Sequence, residues 1–309
     1  MRYRESGSLD PSEVQDRRRS GARLGGPRGL AVGGGGLGLI GVLVVILVQV
    51  LGGSGSSGGS GPGVSNVLDQ LGAGGTADDS QLAEQCRTGA DANDSVDCAV
   101  VANIESIQDY WAGVLGDRYI RTDTVFFSGS LQTACGIARN GAGPFYCPAD
   151  RLIYIDLDFF LQLQQDFGAR GGLFVNAYVL AHEYGHHVQD LLGTSQRVTP
   201  GETGPASGSV RLELQADCYA GTWAEHAETV PDDSGKPLIA QIDADDISRV
   251  LDAAGRIGDD FIQTNLGTGS VDRSAFTHGT SAQRQKWFSI GYDTGDIAAC
   301  DTFGTDDLG

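Results

Sequence analysis

The heptapeptide Ala181-His-Glu-Tyr-Gly-His-His187 constrains the fold more than any other part of this chain. His182 and His186 stand four apart, just over one turn of an α-helix, so both imidazoles project from one face and reach one ion. Glu183 follows the first histidine and sits beside that ion, where its carboxylate takes a proton from a bound water. The flanks read as helix: Leu173, Val175, Ala177, Val179, Leu180 and Ala181 lead in, and Val188, Leu191 and Leu192 follow, with Gly193 as the stop. His187 points about 100° round the helix from His186 and reads as packed rather than ligating. The competing account, a core helix with two hydrogen-bonded histidines, is disfavoured by the segments that follow.

A tetrahedral catalytic zinc takes three protein ligands and keeps a fourth position for water. After a loop marked by Gly201, Gly204, Pro205 and Gly208, the stretch Arg211-Leu-Glu-Leu-Gln-Ala-Asp-Cys-Tyr-Ala-Gly221 returns as a second helix with Glu213 and Asp217 on one face. Zinc histidines donate their remaining ring proton to a carboxylate, which fixes the tautomer. Glu213 is therefore expected as third ligand and Asp217 as the carboxylate behind a histidine, while the exchanged assignment stays open from the residues alone. Leu212, Leu214, Ala216, Tyr219, Ala220 and Trp223 surround the pair with apolar surface, which argues against a solvated acidic face.

Several segments together resemble the bacterial "putative neutral zinc metallopeptidase" family. They are Cys135-Gly136, Gly143-Pro-Phe-Tyr-Cys-Pro-Ala-Asp150, His182-Glu-Tyr-Gly-His-His-Val-Gln189, Glu213-Leu-Gln-Ala-Asp-Cys-Tyr-Ala-Gly221 and Thr277-His-Gly-Thr-Ser-Ala-Gln-Arg284. H-E-x-x-H followed by E-x-x-x-D on a later helix is also similar to the gluzincin arrangement. The resemblance runs from about Val101 to Phe288 and implies a zinc-dependent endopeptidase of zincin-like fold, one zinc per chain, acting on a protein or peptide substrate.

Peptide hydrolysis needs a donor for the oxyanion of the tetrahedral intermediate. Phe276-Thr-His-Gly-Thr-Ser-Ala-Gln-Arg284 offers His278 and Arg284, and the resemblance to minigluzincins, which carry a similar pairing, points the same way. The alternative is a loop-to-helix junction in which Thr280 or Ser281 caps the helix and Arg284 pairs with an acid such as Asp217. His278 is expected as a catalytic residue, Arg284 as a support behind the ligands. His226 lies in no motif.

The first quarter bears on location. Residues 1–29 hold seven arginines against four acids and read as a disordered basic tail. Leu30 to Leu51 carries no charge over 22 residues, long enough for a transmembrane helix. The arginines on its amino side predict a cytoplasmic amino terminus and an exported remainder, and no small-residue cleavage site follows Leu51. Residues 52–75 open on a Gly/Ser-rich linker, and 76–309 are expected to form the metallopeptidase domain. The whole is expected as a single-pass protein of the cell membrane.

Six cysteines suit that exported setting. Their spacing favours the local pairs Cys86–Cys98 and Cys135–Cys147, leaving Cys218–Cys300 to tie the carboxyl-terminal segment to the Glu213 helix. The formal charge of −19 excludes nucleic acid as a partner, and Asp232-Asp233, Asp243 to Asp246 and Asp306-Asp307 read as solvent-facing. Helices are predicted over Val100–Leu115, Asp158–Phe167, Ile239–Arg256 and Ser281–Ile290, and strands over Thr124–Phe127 and Arg151–Leu157. Few strands among several helices give an α+β class with a small sheet. Arg151–Leu157 is the candidate sheet edge for an extended substrate. Two other functions fit the same ligands: a non-catalytic scaffold or receptor of zincin fold, and a zinc amidase acting on a cell-wall amide.

Overall fold

Residues 1–18, 79–139 and 141–309 are described in the computed structural model of the chain. In chain order they form β1 (Arg2–Tyr3), β2 (Val14–Asp16), α1 (Ser80–Gln85), α2 (Gly89–Asp94), α3 (Val96–Leu115), β3 (Thr124–Phe126), β4 (Ser130–Thr133), β5 (Gly136–Arg139), β6 (Phe145–Cys147) and β7 (Leu152–Ile155). There follow α4 (Phe159–Gln165), α5 (Leu173–Leu191), α6 (Gly208–His226), β8 (Ile239–Gln241), α7 (Ala244–Arg256) and α8 (Ser281–Thr294). The mixture is α+β with helices dominant, as the sequence pattern predicts. The expected span at 30–51 and the linker at 52–75 lie outside the described residues, among which no helix is long and apolar enough to cross a membrane.

Four strands make the main sheet in the order β2-β3-β7-β6, with β2, β3 and β7 parallel and β6 antiparallel to β7. This corrects the predicted edge. The strand within Arg151–Leu157 lies inside the sheet, and β6 forms the edge beyond it. Ile153, Tyr154 and Ile155 are all buried, as expected of a strand covered on both faces. Ile153, Ile155 and Phe126 face the main core, while Tyr154 joins Val125, Phe127, Ala138, Phe145 and Cys147 in a smaller cluster. Two apolar faces, not one, produce the alternation in Leu-Ile-Tyr-Ile-Asp-Leu.

A second correction concerns the amino terminus. Residues 1–18, predicted as part of a disordered tail, fold onto the domain: β1 pairs with β8 and β2 pairs with β3. Composition hid the reason. Tyr3, Leu9 and Val14 are buried in the main core, and the Tyr3 hydroxyl bonds Asn103 Oδ1 at 2.9 Å. A third difference lies at Ile239–Arg256, predicted as one helix. Ile239–Gln241 is strand, and the helix begins after Asp243, whose carboxylate accepts the amides of Asp245 and Asp246 while Asp246 bonds back to the Asp243 amide. That box buries Asp246, so this acidic run is not wholly solvent-facing.

The helices that matter for the site meet at glycine. A Cβ on Gly185 of α5 would stand 3.1 Å from Ala216 Cα of α6, and one on Gly291 of α8 would run into the Cys218 carbonyl of α6. Cys218–Cys300 fastens the carboxyl-terminal segment to the same helix, and Cys86–Cys98 and Cys135–Cys147 close the two shorter loops. Thus α6 is held on both sides.

Candidate metal centre

Helix α5 carries His182, Glu183 and His186 along its buried side and ends at Gly193, whose φ of 75° suits a residue without Cβ. Helix α6 starts at Ser207, whose side chain caps the Val210 amide, and presents Glu213 and Asp217 to α5. The crossing at Gly185 and Ala216 brings the two faces together. His182 Nε2 lies 3.2 Å from Glu213 Oε2, and His186 Nε2 lies 3.5 Å from Glu213 Oε1. Candidate ligand atoms of the three residues all lie within 4.8 Å of one another, the one such group of three among the described residues.

These spacings test the fit to zinc. Bonds near 2.1 Å arranged tetrahedrally set ligand atoms about 3.4 Å apart. The imidazole-to-carboxylate contacts of 3.2 Å to Oε2 and 3.5 Å to Oε1 are close to that edge, and two imidazoles with one carboxylate suit the ion's preference for nitrogen and oxygen donors. Both histidines turn Nε2 inward and use Nδ1 outward. His182 Nδ1 meets Asp217 Oδ1 at 2.9 Å, and His186 Nδ1 meets Gln189 Oε1 at 2.9 Å. The structure therefore groups Glu213 with the two inward Nε2 atoms and sets Asp217 behind His182.

Asp217 is fully buried and takes four hydrogen bonds. Tyr178 Oη donates at 2.6 Å, Arg284 Nε at 2.8 Å and Arg284 Nη2 at 2.9 Å, besides His182. Burial pushes its carboxyl upward, but the Arg284 guanidinium and His182 outweigh this and hold it below the usual range. Burial works the same way on Glu213, where His278, His186 and His182 prevail and keep the carboxyl well below its usual range. His182 is the counterpart: burial opposes its charge, yet Asp217 and Glu213 raise it to about 10 in the metal-free protein. A cation is thus favoured at this place, and a metal ion held there would displace that proton.

His278 stands on the loop before α8, whose cap is Thr280 with Gln283 in a reciprocal box. Asp259 Oδ2 accepts three successive amides of this loop, Thr277 at 2.8 Å, His278 at 2.7 Å and Gly279 at 2.9 Å, and Asp259 Oδ1 lies 3.4 Å from His278 Nδ1. The imidazole is close enough to Glu213 to help hold that carboxyl down. Arg284, 3% exposed, is buried in the Asp217 cluster. Of the two donors read from the sequence, His278 is the one beside the ligand face.

Glu183 is buried, and its Oε2 accepts the backbone N–H of Tyr146 at 2.9 Å, which ties the proposed base to the edge strand β6. The Tyr146 hydroxyl lies 3.2 Å from Asp190 Oδ2 and 3.2 Å from His187 Nδ1. His187 is packed as expected, with Nε2 donating to the Ile120 carbonyl at 2.6 Å. His226 bonds the Gly295 carbonyl and stacks on Tyr110, apart from the cluster. Sequence reasoning missed Tyr178, Gln189, Asp259 and Tyr146. Gln189 had a signal, since i+3 from His186 places it on the neighbouring turn.

With this geometry in hand, comparison with known proteins is decisive on kinship. Residues 1–303 match the family described as "Putative neutral zinc metallopeptidase". The chain belongs to this family. It is 51% identical over 226 residues to uncharacterized proteins of Mycobacterium tuberculosis and Mycobacterium bovis, covering 73% of this chain and 76% of each relative. It is 41% identical over 195 residues to the uncharacterized protein YpfJ of Escherichia coli K12, covering 62% of this chain and 64% of the relative. No solved structure matches. The match to the neutral zinc metallopeptidases begins at residue 1, so it takes in β1 and β2.

Proposed function

We propose that this chain is a zinc-dependent endopeptidase. The observation that carries the reading is the convergence of His182, His186 and Glu213, with ligand atoms all within 4.8 Å of one another, and Glu183 adjoining them on the helix of the two histidines. His182, His186 and Glu213 hold one zinc per chain through Nε2, Nε2 and the carboxylate. When bound, zinc polarises a carbonyl oxygen and lowers the pKa of water toward ~7. Glu183 accepts the proton of the attacking water and passes it to the leaving amine, and the Tyr146 amide orients its carboxylate. His278, held by Asp259, donates to the developing oxyanion. An extended substrate adds along β6, the free edge next to Glu183, in place of the strand the sequence suggested.

Three disulfides suit an oxidising compartment, so we place the metal centre outside the cytoplasm, with membrane attachment through the apolar stretch Leu30 to Leu51. The test is hydrolysis of casein by the zinc-loaded full-length chain beside Glu183→Gln. Cleavage by the parent with at least a 100-fold loss in the variant, at equal zinc content, is expected. Equal cleavage by both refutes the assignment of Glu183, and none by either, at one zinc per chain, favours the scaffold reading.

A further inference from the structure

We propose that the amino-terminal segment, residues 1–18, is a structural part of the catalytic fold and lies on the same side of the membrane as the metal centre. The apolar stretch Leu30 to Leu51 stands between two pieces of chain that fold as one body. Before it, β2 completes the main sheet, pairing Val14 with Thr124, Gln15 with Val125 and Asp16 with Phe126. Arg17 extends the ladder by donating to the Phe126 carbonyl at 2.8 Å. These are the strands that carry β7 and β6, hence the edge beside Glu183. Before β2, Tyr3 and Leu9 fill the main core, and β1 supplies a partner for β8.

The points where the chain leaves and re-enters the described fold adjoin each other. The Asp16 amide donates to the Asp79 carboxylate at 2.6 Å, and Arg18 Nη1 lies 2.7 Å from Asp97 Oδ2 at the start of α3. A single crossing between Arg18 and Asp79 would set about 30 Å of hydrocarbon between groups in hydrogen-bond contact. Two crossings by helices need roughly 40 apolar residues, and the apolar stretch is 22 long, followed by Gly, Ser and Pro from 52 to 63. Attachment from one side is the arrangement that the flanks allow.

Two of the seven arginines that predict a cytoplasmic amino terminus, Arg4 and Arg18, have acidic partners in the fold. Arg4 pairs with Asp232, and Arg18 pairs with Asp16 and Asp97. The charges of these two are matched by acids of the fold, so they weigh less in the orientation rule.

The test uses the full-length chain with single cysteines at two exposed positions, Ser6→Cys in the amino-terminal segment and Thr268→Cys in the loop before α8. Spheroplasts are treated with a membrane-impermeant maleimide before and after permeabilisation. Both variants are expected to label in intact spheroplasts to within about twofold. Labelling of Thr268→Cys in intact spheroplasts with Ser6→Cys protected until permeabilisation overturns the proposal. Protection of both keeps the shared side and instead defeats the extracytoplasmic placement proposed above, so the two failures are distinguishable.

Discussion

At the scale of single residues, the centre turns on Asp217, which aligns His182 and neutralises a buried guanidinium. Replacing it by Asn keeps the shape and removes the charge. Arg284 is then a buried, uncompensated cation, which costs about 3–5 kcal/mol. The His182 ring also loses its charged acceptor, and partners behind metal ligands are worth 10–100-fold in affinity. Asp217→Asn is expected to lower stability to urea by that amount and to weaken zinc by that factor in chelator competition. A melt and a zinc affinity both within error of the parent would remove Asp217 from this role. The i, i+4 spacing of Glu213 and Asp217 made this pair legible in the sequence. Tyr178 was not legible, because its Oη reaches Asp217 across a helix interface and one tyrosine in a helix carries no spacing signature.

Glu105 on α3 offers a pH test at the same scale. Burial pushes its carboxyl up to about 8, against the Asp10 amide that donates to it at 2.6 Å, with the Asp10, Asp109 and Glu13 charges adding to the rise. The folded protein keeps a proton that the unfolded chain loses near 4.5, so folding takes up a proton between 4.5 and about 8. Stability contributed by this group is full below that window and is lost as pH rises through it. Glu105→Gln removes the titration. Its melting temperature is expected to match the parent near pH 4 and exceed it at pH 8, by differential scanning calorimetry. A variant melting below the parent at pH 8 would contradict this.

Among elements, the site depends on how closely α6 approaches its neighbours. Gly→Ala in an open helix stabilises by up to ~1 kcal/mol. At Gly291 the sign reverses, because the added Cβ meets the Cys218 carbonyl and must drive α8 off α6. Overpacking of this kind costs about 1–3 kcal/mol, and it also withdraws Arg284 from Asp217, about two turns back along the same helix. Gly291→Ala is expected to lose that stability in urea titration, and a gain would show that the helices have slack here. Helices α3, α5, α6 and α8 were readable because their apolar residues recur with helical period or carry caps. The edge strand β6 escaped notice: three residues between Pro144 and Pro148 are too short for a period-2 pattern. Its identity as the edge comes from pairing, which local sequence does not record.

For the whole molecule, closure is the organising fact. The amino-terminal strands were unreadable for a physical reason: Tyr3, Leu9 and Val14 are scattered among arginines, glycines and serines, and their burial depends on surfaces far along the chain. Cysteine spacing, by contrast, gave the loops directly. Cys86–Cys98 and Cys135–Cys147 each span 12 positions, whereas Cys218–Cys300 spans 82. On the chain-entropy account, loops of those lengths contribute about 3 and about 4.5 kcal/mol. The long bridge also anchors α6 one residue from Asp217, and Gln215 Nε2 reinforces it by donating to the Cys300 carbonyl at 2.9 Å. Cys218→Ala with Cys300→Ala is therefore expected to destabilise the chain more than Cys86→Ala with Cys98→Ala, in parallel urea titrations, and to be the one of the two that weakens zinc. If the two double variants lose equal stability and neither changes zinc affinity, the long bridge merely fastens the carboxyl terminus and the alignment of α6 rests on packing at Gly185 and Gly291 alone.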